Sequence, residues 1–200
     1  MASKTEQRRE DLRNRLTDAA ETIITTQGVD AVKARDLAKI ADCSVGAIYN
    51  AFGDLNDLIM AVNGRTFRRL GAHVSAALAN KSIPPQEQLI VMSHAYLDFA
   101  ANNTQAWRAL FDLQMSTDMQ VPAWYLQELG QVFGLIGAPL RDIFPNWPSD
   151  KIDLMTRALF SSVHGIVLLG LEKRISGVPM QQIEDMLAVV LANVTSSEKM

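Results

Sequence analysis

The sequence lacks two features that mark secreted and membrane proteins, namely paired cysteines and a long apolar run. It contains one cysteine, Cys43, so it has no internal disulfide, and we expect a reducing compartment. No uninterrupted apolar run is long enough to cross a bilayer, and the start, MASKTEQRRE, is charged rather than apolar. These absences predict a soluble, cytoplasmic protein with no membrane partner.

Neither sign of charge dominates the chain. The net charge is −3, and the first 70 residues carry 11 basic against 10 acidic side chains. Five basic residues nevertheless crowd the first fifteen positions: Lys4, Arg8, Arg9, Arg13 and Arg15. A polyanion would bind at this end of the chain, but the solvated start of a helix explains the same cluster.

Alternating polar and apolar residues, the mark of a strand, are not evident anywhere, whereas apolar residues recur at helical spacing along most of the chain. With 48% hydrophobic residues, 200 residues suffice for a sizeable core. Proline and glycine punctuate the helices. The sequence predicts an all-α fold of about nine helices, near residues 7–27, 34–41, 45–52, 55–78, 86–102, 104–115, 122–143, 149–175 and 179–195.

The second and third helices are short and are separated by only ADCS, residues 41–44. Asp42 tolerates the left-handed conformation that such a turn needs, and Ser44 is a good N-cap for the third helix. Two short helices at a tight turn predict a helix-turn-helix, whose second helix enters the major groove of DNA. Its outward face would carry Val45, Ala47, Tyr49 and Asn50. An ordinary helical hairpin, with Tyr49 packed on a neighbour, is the alternative.

These residues resemble the DNA-binding domain of the tetracycline-repressor (TetR) family of bacterial transcriptional regulators. The matching stretches are AAETIITTQGVDA, RDLAKIADCSVGAIYNAF and DLNDLIMAV. Arg35 and Ser44 fall at the family's spacing. The resemblance implies a homodimer with a helix-turn-helix domain in residues 1–53, a connecting fourth helix near 54–79, and a C-terminal helical domain in 80–200 that binds a small molecule and dimerises.

By this resemblance, Tyr49 places its hydroxyl on a phosphate and Asn50 reaches the groove floor, where an amide pairs with adenine. Val45 and Leu55 stand where the family usually has basic residues. Lys33 and the N-terminal arginines would supply that charge instead, because phosphate contacts set affinity and register. The expected DNA-binding residues are Lys33, Arg35, Ser44, Val45, Ala47, Tyr49 and Asn50.

The second half of the chain is richer in Met, Trp, Phe and Tyr, which line small-molecule sites but also fill cores. His164 stands in an otherwise apolar helix, either as a ligand contact or as a buried neutral imidazole. The expected ligand-binding residues are Trp107, Phe111, Met115, Trp124, Tyr125, Phe160 and His164. Apolar faces on the last two helices predict a four-helix interface between two subunits.

Together these features predict a repressor that leaves palindromic operator DNA when a small molecule binds, with the fourth helix as the lever. The main alternative is a helical protein-interaction or small-molecule-binding module that has lost strong DNA binding. An enzyme is a remote alternative that depends on His94 and Asp98, an i, i+4 pair with nothing to complete a triad, nucleotide loop or zinc set. We therefore expect no catalysis, no cofactor and no metal.

Overall fold

The computed structural model describes residues 3–79, 81–113, 121–172 and 178–196. Those residues form nine α-helices, and a 3-10 turn at Val29–Ala31 follows the first. The all-α prediction is confirmed, and the predicted helix ends that fall on described residues lie within three residues of those observed. The predicted ends at 115 and 175 lie outside the described residues. The helices are α1 (Lys4–Gln27), α2 (Ala34–Ile40), α3 (Val45–Phe52), α4 (Leu55–Leu78), α5 (Pro85–Asn102), α6 (Thr104–Asp112), α7 (Ala123–Ile143), α8 (Ser149–Leu171) and α9 (Met180–Val194).

Local chemistry explains where the helices begin and end. The Ser3 side chain accepts from the backbone N–H of Glu6 in a capping box at the start of α1, and Gly28, at φ +89°, ends that helix. The Asp54 carboxylate accepts from the backbone N–H of Asp57 at 2.8 Å, at the start of α4. Pro148 and Pro179 occupy the N-cap positions of α8 and α9. Such signals are local, so the helix ends were predictable.

The helices divide into two compact units. The first comprises Met1–Arg68 with Asn103–Leu126, and the second comprises Arg69–Asn102 with Gln127–Met200. The division falls within α4 and within α7, so both helices contribute residues to each unit. Residues 103–126 fall within the predicted C-terminal domain of 80–200. The described residues of this stretch group with the first unit, where α6 packs against α1.

The first unit is built around α1. Leu16, Ala20 and Ile24 are fully buried and share one apolar cluster with Leu37 of α2 and Ile48 of α3. The α4 residues Leu58, Ile59 and Val62 belong to the same cluster. Burying large aliphatic side chains in this way stabilises each by about 1.5–3 kcal/mol.

Polar contacts fix α4 within that first unit. The Asn63 side-chain amide, fully buried, donates to the Ala109 carbonyl of α6 at 2.8 Å. Arg65 reaches α1 on the other side, where it contacts Asp18 at 2.6 Å and Glu21 at 2.9 Å. The N-terminal half of α4 is thus held between two helices of this unit.

In the second unit, α5 packs against α8 and α9, and α8 packs against α9. At the crossing of α8 and α9, a Cβ on Gly170 would stand 2.5 Å from the Ile183 side chain, so glycine permits the close approach of the two helices. Helix α8 is long and apolar enough to cross a membrane by length and composition alone, with a mean hydropathy of 1.5 over its most apolar 18 residues. Core and interface helices of soluble proteins meet the same criterion, so this is weak evidence of a membrane.

Two arginines of α1 hold the C-terminal ends of α2 and α3. Arg15 Nη1 donates to the Ala41 carbonyl at 2.6 Å, and Arg13 Nη1 donates to the Ala51 carbonyl. The Arg13 guanidinium also lies over the Phe52 ring, 4.1 Å from its centroid. The last carbonyls of a helix lack partners within the helix and carry partial negative charge, so a cation stabilises them.

We expect the Arg15→Met variant to lose about 1 kcal/mol of unfolding free energy, because methionine keeps the aliphatic stem but cannot donate to the Ala41 carbonyl. Urea unfolding followed by circular dichroism measures the change. Arg8→Met, at an exposed position of the same helix, is the matched control and should leave the midpoint unchanged. Equal midpoints for both variants would contradict the anchoring role.

Candidate nucleic-acid interface and ligand cavity

The turn between α2 and α3 has the geometry that its sequence predicts. Asp42 adopts φ +48°, the left-handed conformation, and the backbone N–H of Cys43 donates to the Ala38 carbonyl at 2.9 Å. Ser44 then caps α3, since its hydroxyl accepts from the backbone N–H of Ala47 at 3.2 Å. Helices α2 and α3 pack on each other and on α1 as a helix-turn-helix.

Helix α3 buries one face and exposes the other. Ile48, Ala51 and Phe52 are buried in the core of the first unit. On the opposite face, Tyr49 is 45% exposed and Val45 is 37% exposed. Ser44, Gly46 and Asn50 are exposed as well, and Ala47 is half-buried. A helix that is anchored on one side and bare on the other presents its free face to a ligand as large as DNA.

Helix α2, which packs against α3, carries exposed basic side chains. Lys33 and Arg35, both among the expected DNA-binding residues, are exposed at the start of α2, and Lys39 is exposed near its end. Lys39 is not among the expected DNA-binding residues, although its position in the last turn of a helix that leads into the turn is a usable signal. Exposed cations of this kind suit the phosphates of DNA.

The basic cluster at the N-terminus divides into two groups. Lys4, Arg8 and Arg9 are exposed on α1. Arg13 and Arg15 instead donate to the carbonyl ends of α3 and α2. Two of the five cations therefore position the helix-turn-helix.

A cavity of about 50 Å³ lies within the second unit. Helices α4, α5, α7, α8 and α9 all contribute to its walls. Eleven of its thirteen lining residues are aliphatic, methionine or phenylalanine, and none is charged. The lining residues are Leu70, Val74, Leu89, Met92, Ser93, Tyr96, Val132, Leu135, Ile136, Leu159, Phe160, Val163 and Leu191.

One polar pair stands at the wall of the cavity. The Tyr96 hydroxyl and Nδ1 of His164 share a hydrogen bond of 2.9 Å, and the Phe160 ring stacks on the imidazole with centroids 5.7 Å apart. Burial lowers the pKa of His164, so the imidazole is neutral near pH 7. The sequence allows His164 to be either a ligand contact or a buried neutral imidazole. These two roles are compatible, because the imidazole is bonded to Tyr96, which lines the cavity.

The expected ligand-binding residues are split between the two units. Phe160 lines the cavity and His164 is bonded to the cavity residue Tyr96. Trp107, Phe111, Trp124 and Tyr125 belong to the first unit and are not among the lining residues. Met115 lies outside the described residues.

The four aromatic residues of the first unit have packing roles there. Trp107 is fully buried with Phe111 against it, and Tyr125 packs edge-on against Phe67 at 5.5 Å. Trp124 is partly exposed and covers Gly64, where a Cβ would stand 3.0 Å from its ring. The proposed cavity site therefore leaves these four residues out.

The side chains behind the enzyme alternative do not act together. His94 Nε2 lies 3.3 Å from the Glu184 carbonyl, whereas Asp98 pairs with His73 at 3.1 Å. Among the residues that the structure describes, no three His, Cys, Asp or Glu side chains are grouped to hold a metal ion.

Comparison with known families agrees with this geometry. Residues 16–62, which include the helix-turn-helix, match the family described as bacterial regulatory proteins, tetR family. Residues 89–194 match the tetracyclin repressor-like C-terminal domain. The chain belongs to the tetracycline-repressor (TetR) family. That family consists of transcriptional regulators, and the matched regions confirm the resemblance seen in the sequence.

Individual TetR-family relatives are more distant. An uncharacterized HTH-type transcriptional regulator of Mycobacterium tuberculosis is 30% identical over 90 residues, which is 45% of this chain and 44% of that protein. The HTH-type transcriptional repressor KstR of Mycolicibacterium smegmatis is 34% identical over 74 residues, 37% of this chain and 36% of that protein. The match thus spans less than half the length of these curated relatives.

Solved structures extend the likeness in fold over nearly the whole chain. The structure of RolR in complex with resorcinol superposes with a TM-score of 0.72 at 19% identity, covering 96% of this chain and 91% of RolR. At that identity the likeness establishes a shared fold.

Most residues that line the cavity in this TetR-family chain are not among the expected ligand-binding residues. Ser93 and Tyr96 of α5 are the two polar residues among those that line the cavity. Other polar residues occur on the same helix, and 68 positions separate Tyr96 from His164, so no local signal marks the pair. Only the packing of α5 against α8 brings the pair together.

We expect the His164 imidazole to titrate below its ordinary pKa of 6.5. The folded chain then binds this proton more weakly than the unfolded chain, so the contribution of His164 to stability is fully present above pH 6.5 and is lost as the pH drops toward the folded pKa. An NMR titration, with the resonance assigned by its loss in His164→Gln, measures the midpoint. The urea midpoint should also fall less between pH 7.5 and 5.5 in His164→Gln than in the wild type. A midpoint at or above 6.5 would refute the prediction.

Proposed function

We propose that this chain is a cytoplasmic, ligand-responsive repressor, which binds palindromic operator DNA as a homodimer through α3 and leaves it when a small molecule occupies the cavity of the second unit. The observation that carries this proposal is the exposed face of α3, beside the cations of α2. Family membership supports it, and the relative KstR is named as a transcriptional repressor.

We propose that some of the exposed residues contact phosphates and that others contact the edges of bases. Lys33, Arg35 and the Tyr49 hydroxyl reach phosphates, which set affinity and register. Ser44, Val45, Ala47 and Asn50 face the groove, and the Asn50 amide suits an adenine edge. A helix of eight residues has little contact area, so two copies on one duplex are needed for firm binding.

Exposed apolar surface supports a homodimer. Leu154 and Leu169 of α8 and Val189 of α9 are between 60% and 69% exposed, and Met180 and Met186 of α9 are also exposed. Only 22% of the most apolar window of α8 is buried within the chain. A second copy that covers both helices would remove this surface from water.

Helix α4 offers a route for the ligand response. Its residues Leu70 and Val74 line the cavity, and its earlier residues Leu58 and Val62 belong to the core that holds α3. A ligand that displaces α4 at the cavity would therefore alter the placement of the two copies of α3. The ligand releases DNA only if it binds the DNA-incompatible state more tightly.

We expect Asn50→Ala to weaken binding to the chain's own upstream DNA by about tenfold, since a bidentate amide–adenine contact contributes roughly 1–3 kcal/mol. Tyr49→Phe removes only a phosphate contact and should weaken binding less, at any sequence. Fluorescence anisotropy across a salt series measures both, and affinity should fall steeply as salt rises. Thr25→Ala, an exposed substitution on α1, is the control. Unchanged DNA affinity in both α3 variants would show that α3 is not the surface that contacts DNA.

We expect Val189→Glu to give a monomer, because it places a charge on the apolar face proposed to join two copies. Sedimentation velocity without DNA measures the mass. Ile40→Glu is the matched control, because Ile40 is equally exposed, at 60%, but lies on α2. A dimer that persists in Val189→Glu, or one lost equally in Ile40→Glu, would contradict the α8–α9 interface.

A further inference from the structure

The cavity of the second unit limits the charge of what it holds. None of its thirteen lining residues is charged, and burial lowers the pKa of His164, which is bonded to the lining residue Tyr96, so that imidazole is neutral near pH 7. Moving an ionised carboxylate or amine into such a place costs several kcal/mol without a partner of opposite charge. A charged ligand would find no such partner on these walls.

The polar groups of the cavity limit the ligand's hydrogen bonding. Ser93 is 4% exposed, and its hydroxyl proton is donated to the Ile90 carbonyl at 2.7 Å. Any hydrogen bond from a ligand to Ser93 must therefore use the serine oxygen as acceptor. Ser93 lies three residues before Tyr96, one helical turn along α5, so a donor group placed there would lie on the same side of the helix as the Tyr96–His164 pair.

The volume limits the ligand's size. A dry cavity of about 150 Å³ lined by aliphatic and aromatic side chains binds benzene. The present cavity, at about 50 Å³, is smaller. Met92 lines it, and methionine adapts readily to a new neighbour because its side chain is unbranched and flexible. A molecule of one ring therefore enters only if the walls move outward, and a larger molecule would need still more movement.

On the basis of the proposed ligand response, we propose that the cavity takes a small, uncharged, largely apolar molecule of about one ring that donates a hydroxyl to Ser93, beside the Tyr96–His164 pair. The aliphatic walls and the Phe160 ring would hold the apolar body of the ligand. The hydroxyl would distinguish this molecule from a hydrocarbon of the same shape.

Three probes of matched shape test this assignment: 4-ethylphenol, ethylbenzene and 4-ethylbenzoate. Isothermal titration calorimetry with the full chain at pH 7.5 gives each affinity. We expect 4-ethylphenol to bind about tenfold more tightly than ethylbenzene and 4-ethylbenzoate not to bind. Binding of the benzoate as tight as that of the phenol, equal binding of the phenol and the hydrocarbon, or binding of none of the three would overturn the proposal.

Two variants locate the site. Ser93→Ala should weaken the binding of 4-ethylphenol several-fold and leave the binding of ethylbenzene unchanged. Ser162→Ala is the matched control, since Ser162 makes a similar bond to the Ala158 carbonyl at 2.9 Å but is exposed on α8. Val163→Phe fills the cavity and should abolish binding of both probes while the helical circular dichroism is retained. Equal weakening in the two serine variants, or full binding in a folded Val163→Phe variant, would place the probe elsewhere.

The calorimetric test of the ligand class is independent of the test of DNA binding, because calorimetry needs no DNA. If 4-ethylphenol binds with this pattern but does not lower DNA affinity in the anisotropy assay, the ligand class stands and the proposed release fails. If DNA binding depends on Asn50 but no probe enters the cavity, the reading surface stands and this inference fails.

Discussion

The arrangement of α2 and α3 depends on α1, whose apolar face packs against both helices and whose arginines contact their C-terminal ends. Helices of seven and eight residues are marginal in water on their own, because the cost of the first turn is recovered over few hydrogen bonds. Their C-terminal carbonyls carry partial negative charge without partners in the helix. Arg15 and Arg13 meet these carbonyls at Ala41 and Ala51. Two short helices are thereby fixed to a long one at the ends where the chain would otherwise fray, and the opposite face of α3 is left free.

The same arginines show what the sequence could and could not predict. Caps, turns and helical spacing depend on neighbours within a few positions, so the helix ends, the left-handed Asp42 and the Ser44 cap were all predictable. The arginines contact carbonyls 26 and 38 positions away. Nothing local distinguishes them from Lys4, Arg8 and Arg9, so in the sequence all five formed one basic cluster. A cation that caps a helix and a cation that binds phosphate are chemically alike, and only the fold separates their roles.

The aromatic residues show the same limit in the other half of the chain. Trp107, Phe111, Trp124 and Tyr125 are close in sequence, and closeness suggested a shared site. Helix α6 packs on α1, however, so these residues lie in the first unit, and the cavity of the second unit is lined mainly by aliphatic side chains from five helices. The composition of this segment showed that it is apolar. Composition alone did not predict that the segment packs in the first unit, because packing depends on how well the face of one helix fits the face of another.

Helix packing also bears on how a ligand in the cavity would act at a distance. The walls include Leu70 and Val74 of α4, Leu159 and Val163 of α8 and Leu191 of α9. Helices α8 and α9 also carry the exposed apolar surface, and α4 continues into the core that holds α3. A molecule that widens a cavity of about 50 Å³ must move some of these walls, since packed interiors have few voids to absorb the added volume. Whether the movement appears at α4 or at the proposed dimer surface, the energy available is only the difference in ligand affinity between the two states. In the proposed repressor, a DNA-bound state with a smaller cavity would bind the ligand more weakly, which would increase that difference.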